Sequence, residues 1–348
     1  MQTLSASTSG ELATVVRQGF VESRHLGAAV VLDPAGHVAA SIGDPSVHVF
    51  PRSLLKPIQT IASMNAGAEL QGAQIALACG SHVGSFEHMK VAQAVLVEAG
   101  LSVEDLQLPA TWPADQPSYH ALVRAGHDRQ KLAMECSGKH AAFLWGCVKS
   151  QWPTENYLSP EHPLQQLVVR TTEEMTGEQA GQIGTDGCGA PMPATSLLGL
   201  ARAYSTLGAG IENIRADARV ATVATAMVDY PEYVQGHDRP ATALMQTLDA
   251  VAKNGAEGLL AIGLRNGASV VVKTLDGSTR PTALVAVRLL QACGFIDDST
   301  AQAALDATLR PIRGGGEPVG SIEPGTDLEE AITSARATAT GAADQADG

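Results

Sequence analysis

The chain has 348 residues, of which 45% are hydrophobic and 4% aromatic, and its formal net charge at pH 7 is -13. This hydrophobic content is enough for a large buried core, so we expect one large domain or two closely packed ones rather than a disordered chain. The negative charge and the scarcity of aromatic side chains argue against nucleic acid or an anionic membrane surface as a partner. A small-molecule ligand fits this composition better.

The first twenty residues lack a basic segment followed by an apolar one, and no run of 18 apolar residues occurs. We therefore expect no signal peptide and no transmembrane segment, and a soluble cytoplasmic protein. The five cysteines are odd in number and are not spaced as a disulfide framework, which suits a reducing compartment. They are Cys79, Cys136, Cys147, Cys188 and Cys293.

The first predicted elements are a hairpin and a helix. Residues 28–43, AAVVLDPAGHVAASIG, predict two strands around an Asp-Pro-Ala-Gly turn. From Ser53 the pattern SLLKPIQTIASMNAG predicts a helix that ends at Gly67. QIALACGSHVGSFEH then predicts a buried apolar segment that ends in a Gly- and Ser-rich loop at residues 80–87.

The middle of the chain predicts helices. Five segments have apolar residues at helical spacing: HMKVAQAVLVEAG, SGKHAAFLWGCVKS, HPLQQLVVRTTEEMTG, PATSLLGLARAYSTLG and ATALMQTLDAVAKNG. EGLLAIGL and ASVVVKTLDG then predict a second pair of strands, and PTALVAVRLLQACG predicts a helix after them.

Strands near both chain ends with helices between them favour an α+β fold over an alternating parallel one. We expect a single domain at residues 10–325. Its antiparallel sheet comes from about residues 10–50 and 255–325, and its helix-rich part from about residues 53–250. The Ala-, Thr- and Asp-rich residues 326–348 predict a disordered tail.

Ser53 and Lys56 form a Ser-x-x-Lys pair at the start of a predicted helix. Because residues three apart are neighbours on a helix, the Lys56 amine could accept the Ser53 proton if its surroundings keep it neutral. Alternatively, Ser53 is a helix N-cap and Lys56 is a solvated first-turn residue.

Two further motifs contain residues suited to the same chemistry. Ser81 and His82 lie on the loop after an apolar segment, although Ser is also an ordinary turn residue. Lys273 and Thr274 end an apolar strand, where a lysine can also serve to protect a sheet edge. The order Ser-x-x-Lys, Ser loop, Lys-Thr strand is that of penicillin-recognising serine hydrolases, but with Leu275 in place of the usual Gly.

A fourth motif pairs ECSGKHAAF with GTDGCGAP. Cys136, Lys139 and His140 fall within about one helical turn, and Cys188 follows Asp186 in a Gly-rich loop. Two thiolates and a nitrogen donor suit zinc, although lysine must be deprotonated to bind it. The alternatives are core cysteines, a packed histidine and an Asx turn. Of the seven lysines, three lie in these motifs, and Arg could not replace them as base or ligand.

Taken together, PRSLLKP, CGSH, CSGKH, GTDGCGAP and VVVKTLDG resemble, in order and separation, the asparaginase II family of the Rhizobium etli thermolabile type. The resemblance covers roughly residues 10–325. It implies a fold similar to serine β-lactamases and glutaminases. It also implies an L-asparaginase, which converts L-asparagine and water to L-aspartate and ammonia, and a homodimer.

The resemblance also implies roles for residues at the matching motifs. Ser53 would be the nucleophile and Lys56 its base, with Ser81 and Lys273 as a second Ser–Lys pair. Zinc would be bound by Cys136, Lys139 and Cys188. The substrate's α-carboxylate and α-amino groups would be bound by Arg52, His140 and Asp186.

Two other functions remain open. One is another Ser-x-x-Lys amide hydrolase, either a glutaminase or a penicillin-recognising enzyme, although the latter usually acts outside the cytoplasm. The other is a zinc-stabilised binding protein without activity.

Overall fold

The computed structural model describes the backbone of residues 2–213 and 215–346, with side chains through residue 339. The chain folds as two compact units. The first unit comprises Met1–Leu54, Thr195–Ala209 and Ala243–Gly348, and the second comprises Leu55–Ala194 and Gly210–Thr242.

The strands within the described residues are β1 (Gly10–Arg17), β2 (Phe20–Leu32), β3 (Val38–Ile42), β4 (His48–Val49), β5 (Ile183–Thr185), β6 (Pro191–Pro193), β7 (Thr195–Ser196), β8 (Ala250–Gly255), β9 (Leu259–Leu264), β10 (Ser269–Thr274), β11 (Ile312–Gly314) and β12 (Glu317–Pro324). The helices are α1 (Lys56–Asn65), α2 (Ala73–Cys79), α3 (Phe86–Glu98), α4 (Gln116–Arg124), α5 (Ser137–Lys149), α6 (Pro163–Thr176), α7 (Leu197–Ala209), α8 (Ala218–Asp229), α9 (Pro231–Val234), α10 (Pro240–Leu248), α11 (Thr282–Ala292), α12 (Asp298–Thr308) and α13 (Thr326–Ala346).

The first unit is built on an antiparallel sheet with the strand order β11-β12-β1-β2-β10-β9-β8, and β3 also pairs with β2. Helices α7 and α11 pack against β9 and β10. The strands β8, β9 and β10 are buried along nearly their whole length. Such continuous burial is typical of strands covered on both faces.

The second unit is helical apart from the β5–β6 pair. Helix α5 contacts α1, α2 and α3, and its residues 137–147 are all buried. Gly138 allows α2 to approach closely, because a Cβ there would lie 2.7 Å from the Leu77 carbonyl oxygen. The buried position of α5 explains why its sequence is apolar on nearly every side.

The α+β class is confirmed, because strands from both ends of the chain form one antiparallel sheet. The predicted hairpin is confirmed as β2 and β3, with Asp33 Oδ1 accepting the N–H groups of Ala35 and His37 in the turn. Likeness to the β-lactamase fold, and a single domain at residues 10–325, stay predictions.

Three local predictions differ from the structure. Ser53 is not a helix N-cap but lies inside a 3-10 turn, Arg52–Leu55, that precedes α1. The predicted helix at residues 241–255 ends at Leu248, and residues 250–255 form β8. Asp249 separates them with a φ of 49°, in the left-handed region that interrupts a helix. A helix, α13, occupies Thr326–Ala346, where a disordered tail was expected for 326–348; the last two residues lie outside the described part.

Leu328 and Ala335 of α13 are buried, and α13 contacts β1, β3 and α11. Burial of these apolar side chains stabilises the helix, although the segment as a whole is only weakly apolar. Within the described residues, none of the helices combines the length and apolar character that crossing a membrane requires.

Candidate active site

The ten residues predicted for the site fall into two groups. The first unit contains Arg52, Ser53 and Lys273. The second unit contains Lys56, Ser81, Cys136, Lys139, His140, Asp186 and Cys188.

Lys56 begins α1, and its side chain is buried, with 1% exposed. Its Nζ lies 2.5 Å from the Gly80 carbonyl oxygen, 3.1 Å from that of Glu135 and 2.9 Å from Ser81 Oγ. A carbonyl oxygen can only accept a hydrogen bond, whereas a hydroxyl can donate or accept. These partners therefore suit the amine in both charge states. The ammonium donates three N–H groups, and the neutral amine donates two and accepts from Ser81.

The segment that carries Ser81 is held by backbone hydrogen bonds. The Ser81 N–H donates to the Val234 carbonyl at 2.7 Å, and the Val83 N–H donates to that of Gln235 at 2.9 Å. Gly80 is required here because a Cβ at this position would lie 2.8 Å from the Val234 oxygen. The hydroxyl of Ser81 is thus positioned by its backbone.

His82 joins this segment to the start of α5. Its Nδ1 accepts the Gly84 N–H at 3.1 Å, so Nε2 carries the proton and donates to Ser137 Oγ at 3.0 Å. Burial lowers the pKa of His82 well below its usual value, and His88 and Lys56 add to that effect. The ring is therefore neutral at pH 7, as this hydrogen-bond arrangement requires.

In the first unit, Arg52 and Ser53 lie on the 3-10 turn before α1. Arg52 has a φ of 50°, a left-handed conformation that is uncommon outside glycine and that often occurs at functional sites. The Ser53 side chain is 7% exposed. Tyr204 Oη donates to the Leu54 carbonyl at 2.9 Å, and Arg52 Nη1 lies 3.9 Å from Glu257 Oε1. These contacts hold the turn against the rest of the unit.

Lys273 lies near the end of β10. Its Nζ donates to the backbone carbonyls of Glu257 at 2.6 Å and Thr274 at 2.5 Å. Burial lowers the pKa of Lys273, although the nearby carboxylates of Glu257 and Asp276 oppose the shift. The proposed pairing of Lys273 with Ser81 stays a prediction.

Cys136, Lys139 and Cys188 come together in the second unit, and each is no more than 2% exposed. Lys139 Nζ donates to Cys188 Sγ at 3.0 Å. The hydrogen bond from Cys136 lowers the pKa of Cys188, and the Lys139 cation lowers it further. The same bond, together with burial, raises the pKa of Cys136.

Burial alone would lower the pKa of Lys139, but the negative charge on Cys188 outweighs burial and raises it. The directions of these pKa shifts favour a negative charge on Cys188 and an ammonium on Lys139.

His140 and Asp186 lie around this cluster. His140 Nδ1 is 2.7 Å from Tyr157 Oη, and burial lowers the pKa of His140, so its ring is neutral at pH 7. Its Nε2 is buried, and a side-chain hydrogen bond with Cys188 opposes the lowering of its pKa. Asp186 Oδ2 lies 3.7 Å from Cys188 Sγ. The structure thus places Cys136, Lys139, His140 and Asp186 in the neighbourhood of Cys188.

The donor set of this cluster fits zinc chemically, since two buried thiols and an adjacent amine are soft and borderline ligands. His140, whose ring interacts with Cys188, is a further side chain with a nitrogen donor in the same region. Within the described residues there is no group of three or more His, Cys, Asp or Glu side chains arranged for a metal ion. The set Cys136, Lys139 and Cys188 has only two residues of those types, so its third ligand would have to be lysine.

Comparison with known proteins decides the family. The sequence matches the L-asparaginase II family over residues 13–324, most of the chain. The chain belongs to the L-asparaginase II family. The family predicted from the five motifs is thereby confirmed.

A search of curated proteins finds no match to this L-asparaginase II chain. A solved structure titled "Crystal Structure Analysis of Mglu in its native form" is similar to it at 12% sequence identity and a TM-score of 0.43. The alignment covers 76% of this chain and 63% of that one. The chain thus spans less than two thirds of the length of that structure.

One candidate residue of this L-asparaginase II chain was missed by sequence reasoning. Lys253 lies on β8, is fully buried, and donates to the Asn254 carbonyl at 2.6 Å. A Cβ on Gly255 would lie 3.4 Å from the Pro51 carbonyl oxygen, so the end of β8 lies beside the turn that carries Ser53. The signal was Lys253-Asn254-Gly255, which has the Gly of a Lys-x-Gly strand motif, but the segment was assigned to a helix.

Proposed function

We propose that this protein hydrolyses L-asparagine to L-aspartate and ammonia through an acyl-enzyme on Ser53. The observation that carries the proposal is the buried Lys56 amine, three residues after Ser53, whose partners are two carbonyl oxygens and the Ser81 hydroxyl. Membership in the L-asparaginase II family supports the choice of substrate.

Lys56 is suited to the role of general base. A base has to exchange a proton without losing its position, and its hydrogen bonds have to be satisfied before and after the transfer. The two carbonyl oxygens take two N–H groups in both states, and the Ser81 hydroxyl can reverse its direction. Lys56 and Ser81 thus form a proton relay in the proposed mechanism.

In the first half of the reaction, Ser53 Oγ attacks the side-chain carbonyl carbon of asparagine as Lys56 takes the hydroxyl proton. Backbone N–H groups at the start of the helical segment, including that of Ser53, stabilise the oxyanion. The carbon–nitrogen bond then breaks, and ammonia leaves with a proton delivered from Lys56 through Ser81. An ester of Ser53 with the aspartyl side chain remains.

In the second half, water attacks the ester carbonyl, and Lys56 accepts a proton from that water. Collapse of the intermediate breaks the ester bond, returns the proton to Ser53 Oγ and releases aspartate. No residue is consumed, so the cycle closes with the amine and hydroxyl in their starting states.

Two lysines are candidates for the second Ser–Lys pair of this mechanism. Lys273 was predicted, and its amine has two backbone carbonyl partners. Full burial and the Lys-Asn-Gly context favour Lys253, whose strand end adjoins Pro51. A cation on either lysine would help to keep the Lys56 amine neutral.

Arg52, His140 and Asp186 are proposed to bind the α-carboxylate and α-amino groups of asparagine. The Arg52 guanidinium and a ring N–H of His140 are donors suited to a carboxylate, and the Asp186 carboxylate is an acceptor suited to an ammonium.

We further propose that Cys136, Lys139 and Cys188 hold zinc, with Lys139 losing its proton on binding. Bound there, the metal would fix the geometry of these side chains and polarise a substrate group, while the nucleophile remains Ser53. A homodimer and a cytoplasmic location also remain proposals, which light scattering and cell fractionation would test.

The test is ammonia release by pure protein from L-asparagine and, separately, L-glutamine, with and without chelator. Wild type should release ammonia from asparagine, and Ser53→Ala should lower kcat by at least about a thousandfold. Ser63→Ala is a matched control, because Ser63 is a buried serine of α1 whose hydroxyl only donates to the Gln59 carbonyl.

Other outcomes would favour the alternatives. Faster turnover of glutamine than of asparagine would make the protein a glutaminase. Well-folded wild type that releases no ammonia from either amide but binds zinc would be a zinc-stabilised binding protein. Full activity in Ser53→Ala would exclude the acyl-enzyme mechanism.

A further inference from the structure

The Lys56 amine is held by two segments of the second unit that are far apart in the sequence. The Gly80 carbonyl and the Ser81 hydroxyl belong to the segment after α2, and the Glu135 carbonyl belongs to the residues before α5. Because the amine bonds to both segments at once, its position depends on the distance between them. The groups that connect the two segments therefore also bear on the position of the amine.

His82 connects the two segments directly. Its ring is buried, accepts the Gly84 N–H at Nδ1 and donates from Nε2 to Ser137 Oγ at 3.0 Å. The Ser137 hydroxyl in turn donates to the Leu132 carbonyl at 2.9 Å. Because a backbone N–H can only donate and a carbonyl can only accept, the direction of each of these hydrogen bonds is fixed. An ordered series of hydrogen bonds thus joins the segment after α2 to the start of α5.

Further contacts keep the His82 ring in place. His88 stacks on it with the ring centroids 5.0 Å apart, and His88 Nε2 itself lies 2.9 Å from the Glu232 carbonyl oxygen. A Cβ on Gly84 would meet the Ala133 carbonyl oxygen, so the backbones of the two segments pack directly against each other there. The ring therefore has little freedom to move, and its hydrogen bond to α5 connects two well-packed parts of the unit.

His162 makes the same kind of hydrogen bonds elsewhere in the second unit. Its ring is also buried, its Nδ1 accepts the N–H of Leu164, two residues further along, at 3.1 Å, and its Nε2 lies 2.9 Å from the Pro153 carbonyl oxygen. Neither of these partners is among the groups that hold the Lys56 amine. His162 therefore shows what the loss of such a buried ring costs when the surroundings of the amine are left intact.

We propose that His82 is a positioning residue for the general base: its hydrogen bond to Ser137 fixes the distance between the two segments whose oxygens hold the Lys56 amine. This inference rests on the proposed function for the role of Lys56 as a base. The connection between the two segments is independent of that role. His82 acts through Lys56 and takes no part in a proton transfer itself.

Hydrogen exchange tests the connection without reference to activity. Ser137→Ala removes the acceptor of the His82 ring and lies outside the segment that is measured. We expect the backbone amides of residues 80–84 to exchange about tenfold faster than in wild type, as measured by mass spectrometry at pH 7. Ser63→Ala, which removes another buried serine hydroxyl, should leave their exchange unchanged. Exchange in Ser137→Ala at the wild-type rate would overturn the proposal.

Ammonia release from L-asparagine tests the role in catalysis. The shorter amide of His82→Asn can still accept the Gly84 N–H but cannot reach Ser137, so kcat should fall about tenfold while KM changes less than about twofold. His82→Gln places an N–H near the Nε2 position and should stay within about threefold of wild-type kcat. His162→Asn is the matched control and should keep wild-type kcat. Equal losses of kcat in His82→Asn and His162→Asn, or in His82→Asn and His82→Gln, would overturn the proposal.

A double-mutant cycle shows whether His82 and Ser137 act through one hydrogen bond. In the Ser137→Ala background that bond is already lost, so His82→Asn should lower kcat by less than about twofold further. Losses that multiply in the double variant would overturn the proposal. Wild type without amidase activity would contradict the proposed function, whereas hydrogen exchange would still decide whether His82 connects the two segments.

Discussion

Lys56 and Lys139 are both buried lysines of the second unit, each 1% exposed, but they have opposite surroundings. The Lys56 amine meets only neutral oxygens, from Gly80, Ser81 and Glu135. The Lys139 amine meets the sulfur of Cys188, whose pKa is strongly lowered. A thiolate stabilises the ammonium form of Lys139, whereas none of these three oxygens beside the Lys56 amine carries a formal charge. Equal burial therefore accompanies two different chemical roles.

The largest effect should follow from removing the amine that has neutral partners. Lys56→Met keeps the length and apolar stem of the side chain but removes the base, so kcat for asparagine should fall by at least about a thousandfold. Ammonia release measures this, with circular dichroism to confirm folding. Lys149→Met on the exposed end of α5 is the matched control, and a Lys56→Met protein with more than a tenth of wild-type kcat would remove Lys56 from the mechanism.

A third buried lysine, Lys253, can be tested in the same way. If Lys253 is the second lysine of the reaction centre, Lys253→Met should lower kcat by about a hundredfold, while Lys273→Met lowers it by less than about tenfold, because a catalytic amine acts at close range. Both variants are assayed with asparagine under identical conditions. The reverse order of effects would restore the role predicted for Lys273.

The charged partner of Lys139 should matter most for stability. In chelator-treated protein, Cys188→Ala leaves a buried ammonium without its thiolate, so the free energy of unfolding should fall by about 3–5 kcal/mol. Urea denaturation measures it. Adding Lys139→Met should recover much of the loss, and Cys147→Ala, also a buried cysteine of the second unit, should cost only about 1 kcal/mol from lost apolar contact.

Zinc content tests the same cluster in the untreated protein. Wild type should carry metal by mass spectrometry, whereas Cys136→Ala and Cys188→Ala should lose it and Cys147→Ala should not. Metal content that is unchanged in both variants would refute the proposed ligands.

The smallest expected effect concerns His82, which joins the Ser81 segment to the start of α5. Its pKa, like that of His88, is lowered by burial. Because the unfolded chain takes up a proton at about pH 6.5 and the folded chain does not, stability is full above that pH and falls below it. Each histidine contributes up to about 1.4 kcal/mol per pH unit.

Urea denaturation at pH 7.5 and 5.5 measures this dependence. His82→Gln should flatten it, while substitution of the exposed His37, 80% exposed, by Gln should leave it as in wild type. The pH dependence of stability could also be the same in His82→Gln and in wild type. In that case the protonation of His82 would not change on unfolding.

The sequence predicted those parts of the fold in which the spacing of apolar residues and the turn residues agree with the tertiary packing. Residues 28–43 form the end of β2, the turn and β3, because the Asp33 turn and the antiparallel pairing of the flanking segments agree. Residues 241–255 were mistaken for one helix, because only the left-handed Asp249 and the sheet partner β9 reveal the strand. That mistake also concealed Lys253. The helix α13 was not predicted, because contacts with strands that are distant in the sequence stabilise it.

The family, the α+β order of elements and the spacing of Ser53 and Lys56 could be read from the sequence, since they depend on motifs or on neighbours along the chain. The groups that surround each amine could not, because they come together through tertiary packing. The partners of Lys56 are 24, 25 and 79 positions away, and the Cys188 partner of Lys139 is 49 positions away. No local period encodes such distances, so whether a buried lysine meets a neutral oxygen or a thiolate emerges only when the helices and loops pack together.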